Sequence, residues 1–218
     1  QYGIGCLQIG KKEASIAVRT FLDERLADGF KIQPENKVRG LPSELDGKIS
    51  GLEVATAMLF LMSQKIISRK DEADLQKLKV LMYHDDCCTV IDDYFVFFEF
   101  PYDSKKIILN GWLFCTLALG QFYEMFGDPD DDKKMISVGI NTLIERFIWD
   151  DRALYYCTSN RICSPNYNTM TILLLELVAD VLKSDRLKMY AKNLQTKNTF
   201  KLKLVLFIKK ISEKFTEI

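Results

Sequence analysis

The sequence predicts an all-α protein built of helical hairpins with short β segments, and three observations carry that expectation. Apolar residues recur at intervals of three and four through several segments of hairpin-friendly length. One uncharged run, Ile107 to Tyr123, is apolar around most of its circumference and so calls for neighbours on several sides. Only two short stretches, Thr89 to Phe100 and Ala153 to Cys157, are dense in β-branched and aromatic residues.

Taken in order, Gly29 to Gly51 mixes Gly, Pro and charged residues and reads as a loop. Ser50 to Ile67, with Leu52, Ala55, Leu59, Met62 and Ile66 on one stripe, is expected to pair with Asp71 to Met82, which carries Leu75, Leu78 and Leu81. Ile107 to Tyr123 spans too little at about 1.5 Å per residue to cross a hydrocarbon layer of about 30 Å, and reads as a buried helix. Asp128-Pro129-Asp130-Asp131-Asp132 supplies a cap and acidic first-turn residues ahead of Met135 to Ile148, expected to pair with the apolar helix before it. Asn168 to Leu182 and Ser184 to Leu194 form a third pair across a short link at Lys183, and Leu202 to Phe215 is expected to be a helix with a Lys-rich outer face.

Composition narrows the function. At 218 residues with 48% hydrophobic content, the chain can bury one sizeable core. Thirty Lys and Arg balance thirty Asp and Glu, so nothing in the net charge suits a phosphate backbone and nucleic acid is not an expected partner. The six cysteines show no C-x-x-C pair, and free thiols are expected. No basic-then-apolar leader is seen from Gln1 onward, which leaves the location open with the cytoplasm favoured.

Several apparent motifs dissolve under their chemistry. Gly3, Gly5 and Gly10 have the wrong spacing for a phosphate loop and no preceding strand. The acidic run at Asp128 has Lys133 where a calcium loop turns on Gly. His84-Asp85-Asp86-Cys87-Cys88 collects metal-ligand types, yet sequence neighbours rarely converge on one ion, and no metal is expected. With His84 the lone histidine and no nucleophile elbow, histidine-based catalysis is not expected either. What remains is Glu99 among aromatics, where burial would raise its pKa toward acid/base work, and the phenols Tyr155, Tyr156 and Tyr167 on later connections.

Five stretches together resemble the C-terminal domain of D-glucuronyl C5-epimerases: Gln1-Tyr2-Gly3-Ile4-Gly5, Ser50 to Ala57, Phe98-Glu99-Phe100-Pro101 with Ile108-Leu109-Asn110-Gly111-Trp112, Leu154-Tyr155-Tyr156, and Pro165-Asn166-Tyr167-Asn168-Thr169. The resemblance runs over residues 1–195, leaving 196–218 as a C-terminal helix or tail. It implies an (α/α) toroid of helical hairpins and an isomerase that inverts C5 of glucuronate in a glycosaminoglycan-type polymer such as heparosan, without a redox cofactor. Carried over, the catalytic residues are Glu99, Tyr155 and Tyr167, and Asn110, Lys105, Arg152, Arg161 and Asn168 are candidates for holding the substrate. The tyrosine that follows the glutamate in the family is Phe100 here, and the family's two histidines near Tyr167 are missing. An anionic polysaccharide or oligosaccharide is therefore the expected partner, with a second subunit or oligomer completing the cleft. The alternative is a helical toroid that binds saccharide or protein without turnover.

Overall fold

The computed structural model describes residues 12–32, 45–64, 67–99, 107–128, 131–150, 152–155, 157–158, 161–200 and 202–207, with side chains from residue 16 onward. It is mostly helical: α1 (Lys12–Ala27), α2 (Gly51–Met62), α3 (Arg69–Met82), α4 (Leu109–Phe126), α5 (Asp132–Leu143), α6 (Pro165–Val181) and α7 (Asp185–Lys197). Two small antiparallel pairs interrupt them, β1 (Cys88–Ile91) with β2 (Tyr94–Phe97), and β3 (Ile148–Trp149) with β4 (Ala153–Leu154).

Helix α4 is the central element because it has almost no polar side to give to water. Leu109, Trp112, Leu113, Leu117, Leu119 and Phe122 are all buried, and it packs on α2 along one flank and α6 along the other. At about 1.5–3 kcal/mol for each large apolar side chain removed from water, this helix alone holds the two outer hairpins to the core. Helix α3 lies on α2 and α7 lies on α6, so both hairpins expected at these positions form.

Element ends depart from the periodicity for local reasons. The helix expected to reach Ile67 stops at Met62, where the Ser63 amide turns back onto Leu59 and Phe60 carbonyls, and Ile66 lies outside the described residues. Ser68 then caps α3, which starts at Arg69, two residues before Asp71, and forms a reciprocal capping box with that aspartate. Helix α5 begins at Asp132 rather than Met135, because the Asp128 carboxylate accepts the amides of Asp132 and Lys133 at 3.0 and 2.8 Å. It ends at Leu143 in a 3₁₀ turn, Ile144–Phe147, short of Ile148. Pro165 at the first position and Ser164 as cap start α6 three residues ahead of Asn168.

The pairing of α5 also differs from expectation. It rests more on strand β2 than on α4. Gly139 makes this possible, since a Cβ there would stand 2.6 Å from the Phe95 carbonyl oxygen. The Thr89 to Phe100 stretch is a hairpin turning at Asp92 and Asp93, both at positive φ, as a two-residue primed turn requires. The five described cysteines are buried, and no disulfide joins any two of them. Residues 202–207 are helical and seat Leu202 and Leu206 in a small satellite cluster with Ala153 and Ile162; the rest of the expected Leu202 to Phe215 helix lies outside the described residues.

Candidate functional site

Helices α2, α4 and α6 start at the same end of the molecule. Ser50, the cap of α2, donates from Oγ to the Glu99 carbonyl at 3.2 Å and accepts from the Glu53 amide at 3.3 Å. Gly51 follows because no side chain fits: a Cβ would sit 2.2 Å from the Phe98 carbonyl oxygen. The start of α4 is tied to the 157–158 segment by reciprocal bonds, Ile107 N to Thr158 Oγ1 at 3.0 Å and Thr158 N to Ile107 O at 3.1 Å. The start of α6 is tied to β4 by the Leu154 amide donating to Asn168 Oδ1 at 2.9 Å. These bonds bring the chain around 99, 107–111, 152–155, 157–158 and 164–168 to one face.

Glu99 leaves the β1–β2 hairpin and crosses the first turn of α4. A Cβ on Gly111 would stand 2.5 Å from Glu99 Cβ and 2.8 Å from Oε2, so glycine is what allows the carboxylate to lie against the helix. Oε2 is buried with no hydrogen-bond partner among the described residues. Burial pushes the Glu99 carboxyl up from the ordinary 4.5 to about 7. Asn110 Oδ1, in the same turn, is likewise buried and unpartnered among the described residues. Helix α4 has no side-chain cap and no acidic residue in its first turn, so its free amides and the positive end of its dipole face this point.

The phenols divide. Tyr167, in the first turn of α6, packs on the main core with its hydroxyl buried. Tyr155 is half-buried against the satellite cluster of Ala153, Ile162, Leu202 and Leu206, while its neighbour Leu154 points into the main core. The two tyrosines therefore lean on different apolar clusters. Asn168 is fully buried, and only its Nδ2 is free of a partner among the described residues, so its first duty is to hold β4.

Among the candidate cations, Arg152 is exposed, pairs with Asp150 and lies over the Trp149 ring at 5.4 Å. Arg161 is also exposed. Lys105, Phe100 and Tyr156 lie outside the described residues, as do Gly3, Gly5 and Gly10. His84 accepts the Asp86 amide at Nδ1 in a local turn, and no cluster able to hold a metal occurs among the described residues. None of the described helices is long and apolar enough to cross a membrane. Sequence reasoning missed the positioning parts, Ser50, Gly111 and Thr158; the Ser50-Gly51 start of an apolar run was a visible cap signal, whereas nothing marked Thr158.

Glu99 and Asn110 thus sit at the first turn of α4 and Tyr167 at the first turn of α6, each beside the positive end of a helix dipole. The family model for the D-glucuronyl C5-epimerase C-terminus matches residues 75–196, more than half of the chain, and the chain belongs to that family. The match contains Glu99, Asn110, Arg152, Tyr155, Arg161, Tyr167 and Asn168, and excludes the segments before residue 75 that also resembled it. Among curated proteins, none matches the sequence.

Proposed function

We propose that the chain acts as a uronate C5-epimerase on a glucuronate-containing polysaccharide of the heparosan kind, with Glu99 as one of the two groups that move the C5 proton. The observation that carries this is the seat of Glu99: its side chain lies against Gly111 with Oε2 buried and unpartnered among the described residues, and that burial pushes the carboxyl up to about 7, where it can both take and return a proton. An ordinary glutamate at 4.5 would be a poor acid there.

In this mechanism the ionised Glu99 removes the proton from C5, and the electron pair passes into the sugar carboxylate as an enediolate. The Tyr167 hydroxyl gives its proton to C5 from the opposite face, and exchange with solvent resets both groups. The enediolate carries more negative charge than the starting carboxylate, so the positive ends of α4 and α6 favour it over the ground state. Asn110 and Asn168 stand at those ends as amides for the substrate carboxylate or hydroxyls. The reaction is redox-neutral. The finer arrangement of the hairpins as an (α/α) toroid is supported by the side-by-side stacking of α2, α4 and α6 with α3 and α7 outside them.

Saccharide binding without turnover is the second reading, favoured by the packing of Tyr155 in the satellite cluster away from Tyr167. Solvent deuterium incorporated at C5 of heparosan oligosaccharides in heavy water separates the two. Epimerisation requires uptake by the wild-type chain that Tyr167→Phe abolishes; binding with no uptake supports the second reading.

A further inference from the structure

We propose that the helix entered at Thr199 is a membrane-surface element, which lays an apolar stripe into the headgroup layer of an anionic bilayer while its other side stays seated on the protein. The proposal goes beyond the epimerase reading and does not depend on it.

The helix has two apolar sides with different fates. Thr199 opens it, its hydroxyl accepting the Leu202 amide at 3.3 Å and its carbonyl the Lys203 amide at 3.0 Å. Leu202 and Leu206, four apart, are buried in the satellite cluster with Ala153 and Ile162. Phe200, Leu204 and Phe207 recur at four and three on another side and are 83%, 51% and 54% exposed. One exposed leucine is ordinary, but two phenylalanines and a leucine along one face mark a surface that something covers. The sequence carries the stripe on, since Ile208, Ile211, Phe215 and Ile218 fall on the same side of a period of about 3.6 residues.

Charge says what covers it. Basic and acidic residues balance over the whole chain, yet from Thr199 onward five lysines stand against two glutamates. On the same helical period Lys201 borders the stripe on one side and Lys203, Lys210 and Lys214 border it on the other, with Glu213 on the far face. An apolar stripe edged with cations matches a bilayer of anionic lipids, where the apolar side chains enter the acyl boundary and the lysines reach the phosphates. A second copy of the same face would instead set lysine edges against lysine edges. Because Leu202 and Leu206 hold the helix against the body, the stripe meets a bilayer lying flat on its surface.

The test is co-sedimentation of the full chain with vesicles of equal parts phosphatidylcholine and phosphatidylserine, and with vesicles of phosphatidylcholine alone. The chain is expected to pellet with the anionic vesicles and to be released as salt rises. Phe207→Ser should weaken partitioning about tenfold, the scale of one aromatic side chain returned to water. Lys203→Gln should weaken it about fivefold. Val80→Ser, which alters an apolar residue 71% exposed on α3, should leave it unchanged. All of these side chains lie at the surface, and circular dichroism checks that each variant is folded. No pelleting with anionic vesicles, equal partitioning into neutral ones, or full partitioning by the double variant Phe200→Ser, Phe207→Ser would each overturn the proposal. Self-association that the double variant loses, without vesicle binding, would also overturn it and give the stripe to a second copy of the chain.

Discussion

Glu99 lies directly over the backbone of Gly111, with its Oε2 only 2.8 Å from where a Cβ at position 111 would be. The closeness sets both the burial of the carboxylate and its raised pKa, because the helix surface replaces water on that side.

Gly111→Ala should therefore push Glu99 off the helix. Glu99 Cβ and Cγ are also within 2.5 and 3.1 Å of the added methyl, so the side chain cannot escape by rotating its end alone. An overpacking cost of about 1–3 kcal/mol is expected in urea denaturation, together with a drop in C5 exchange. Unchanged exchange in a destabilised variant would mean that the seat of Glu99 is structural only.

The Glu99 carboxyl also makes stability depend on pH in a defined direction. Its pKa is higher in the folded chain, about 7 against 4.5, so the folded state holds the proton more tightly. The resulting stabilisation is complete below pH 4.5 and is lost as pH rises through about 7. At about 1.4 kcal/mol per pKa unit the full swing is at most roughly 3–4 kcal/mol. Denaturation midpoints measured from pH 5 to pH 8 should fall in the wild-type chain and fall distinctly less in Glu99→Gln. Parallel curves for the two would remove the pKa from the account.

At the opposite end of α4, a second set of phenols serves the fold. Tyr123 donates to Asp132 at 2.6 Å and shares a 2.8 Å bond with the Tyr83 hydroxyl, joining α3, α4 and α5. Burial first, and then the bond to Tyr123 for Tyr83 and the bond to Asp132 for Tyr123, hold both hydroxyls well above their usual titration. Tyr123→Phe should cost about 1–2 kcal/mol in a thermal or urea melt while C5 exchange per folded molecule stays the same. A selective loss of exchange would bring this end of the helices into the site.

Much of this arrangement was legible in the sequence where burial writes a pattern. The uncharged run from Ile107 had to be an interior helix, and the recurrences from Ser50 and from Asp71 had to face each other across a short link. Helix ends were less legible, because they depend on single side chains such as Asp128 reaching back over several residues to cap amides. The partner of α5 was hidden for a similar reason: only the lack of a Cβ at Gly139 lets the Phe95 carbonyl come close.

Within the site, an acid flanked by aromatics was a readable sign of a buried carboxylate, and Glu99 is half-buried with its Oε2 sealed from solvent. Tyr155 shows the limit. In an extended segment one step of register sends a side chain to the opposite face, and Leu154 took the main core while Tyr155 took the satellite cluster. Two adjacent tyrosines in the sequence held no sign of which would face which side.

The most direct measurement is the rate at which solvent deuterium enters C5 of a heparosan oligosaccharide, compared between the wild-type chain and Glu99→Gln with both shown to be folded by circular dichroism. Loss of the Glu99 proton-transfer group should slow incorporation by about 10²–10⁴-fold while the oligosaccharide still binds. Incorporation at the wild-type rate in Glu99→Gln would contradict the account.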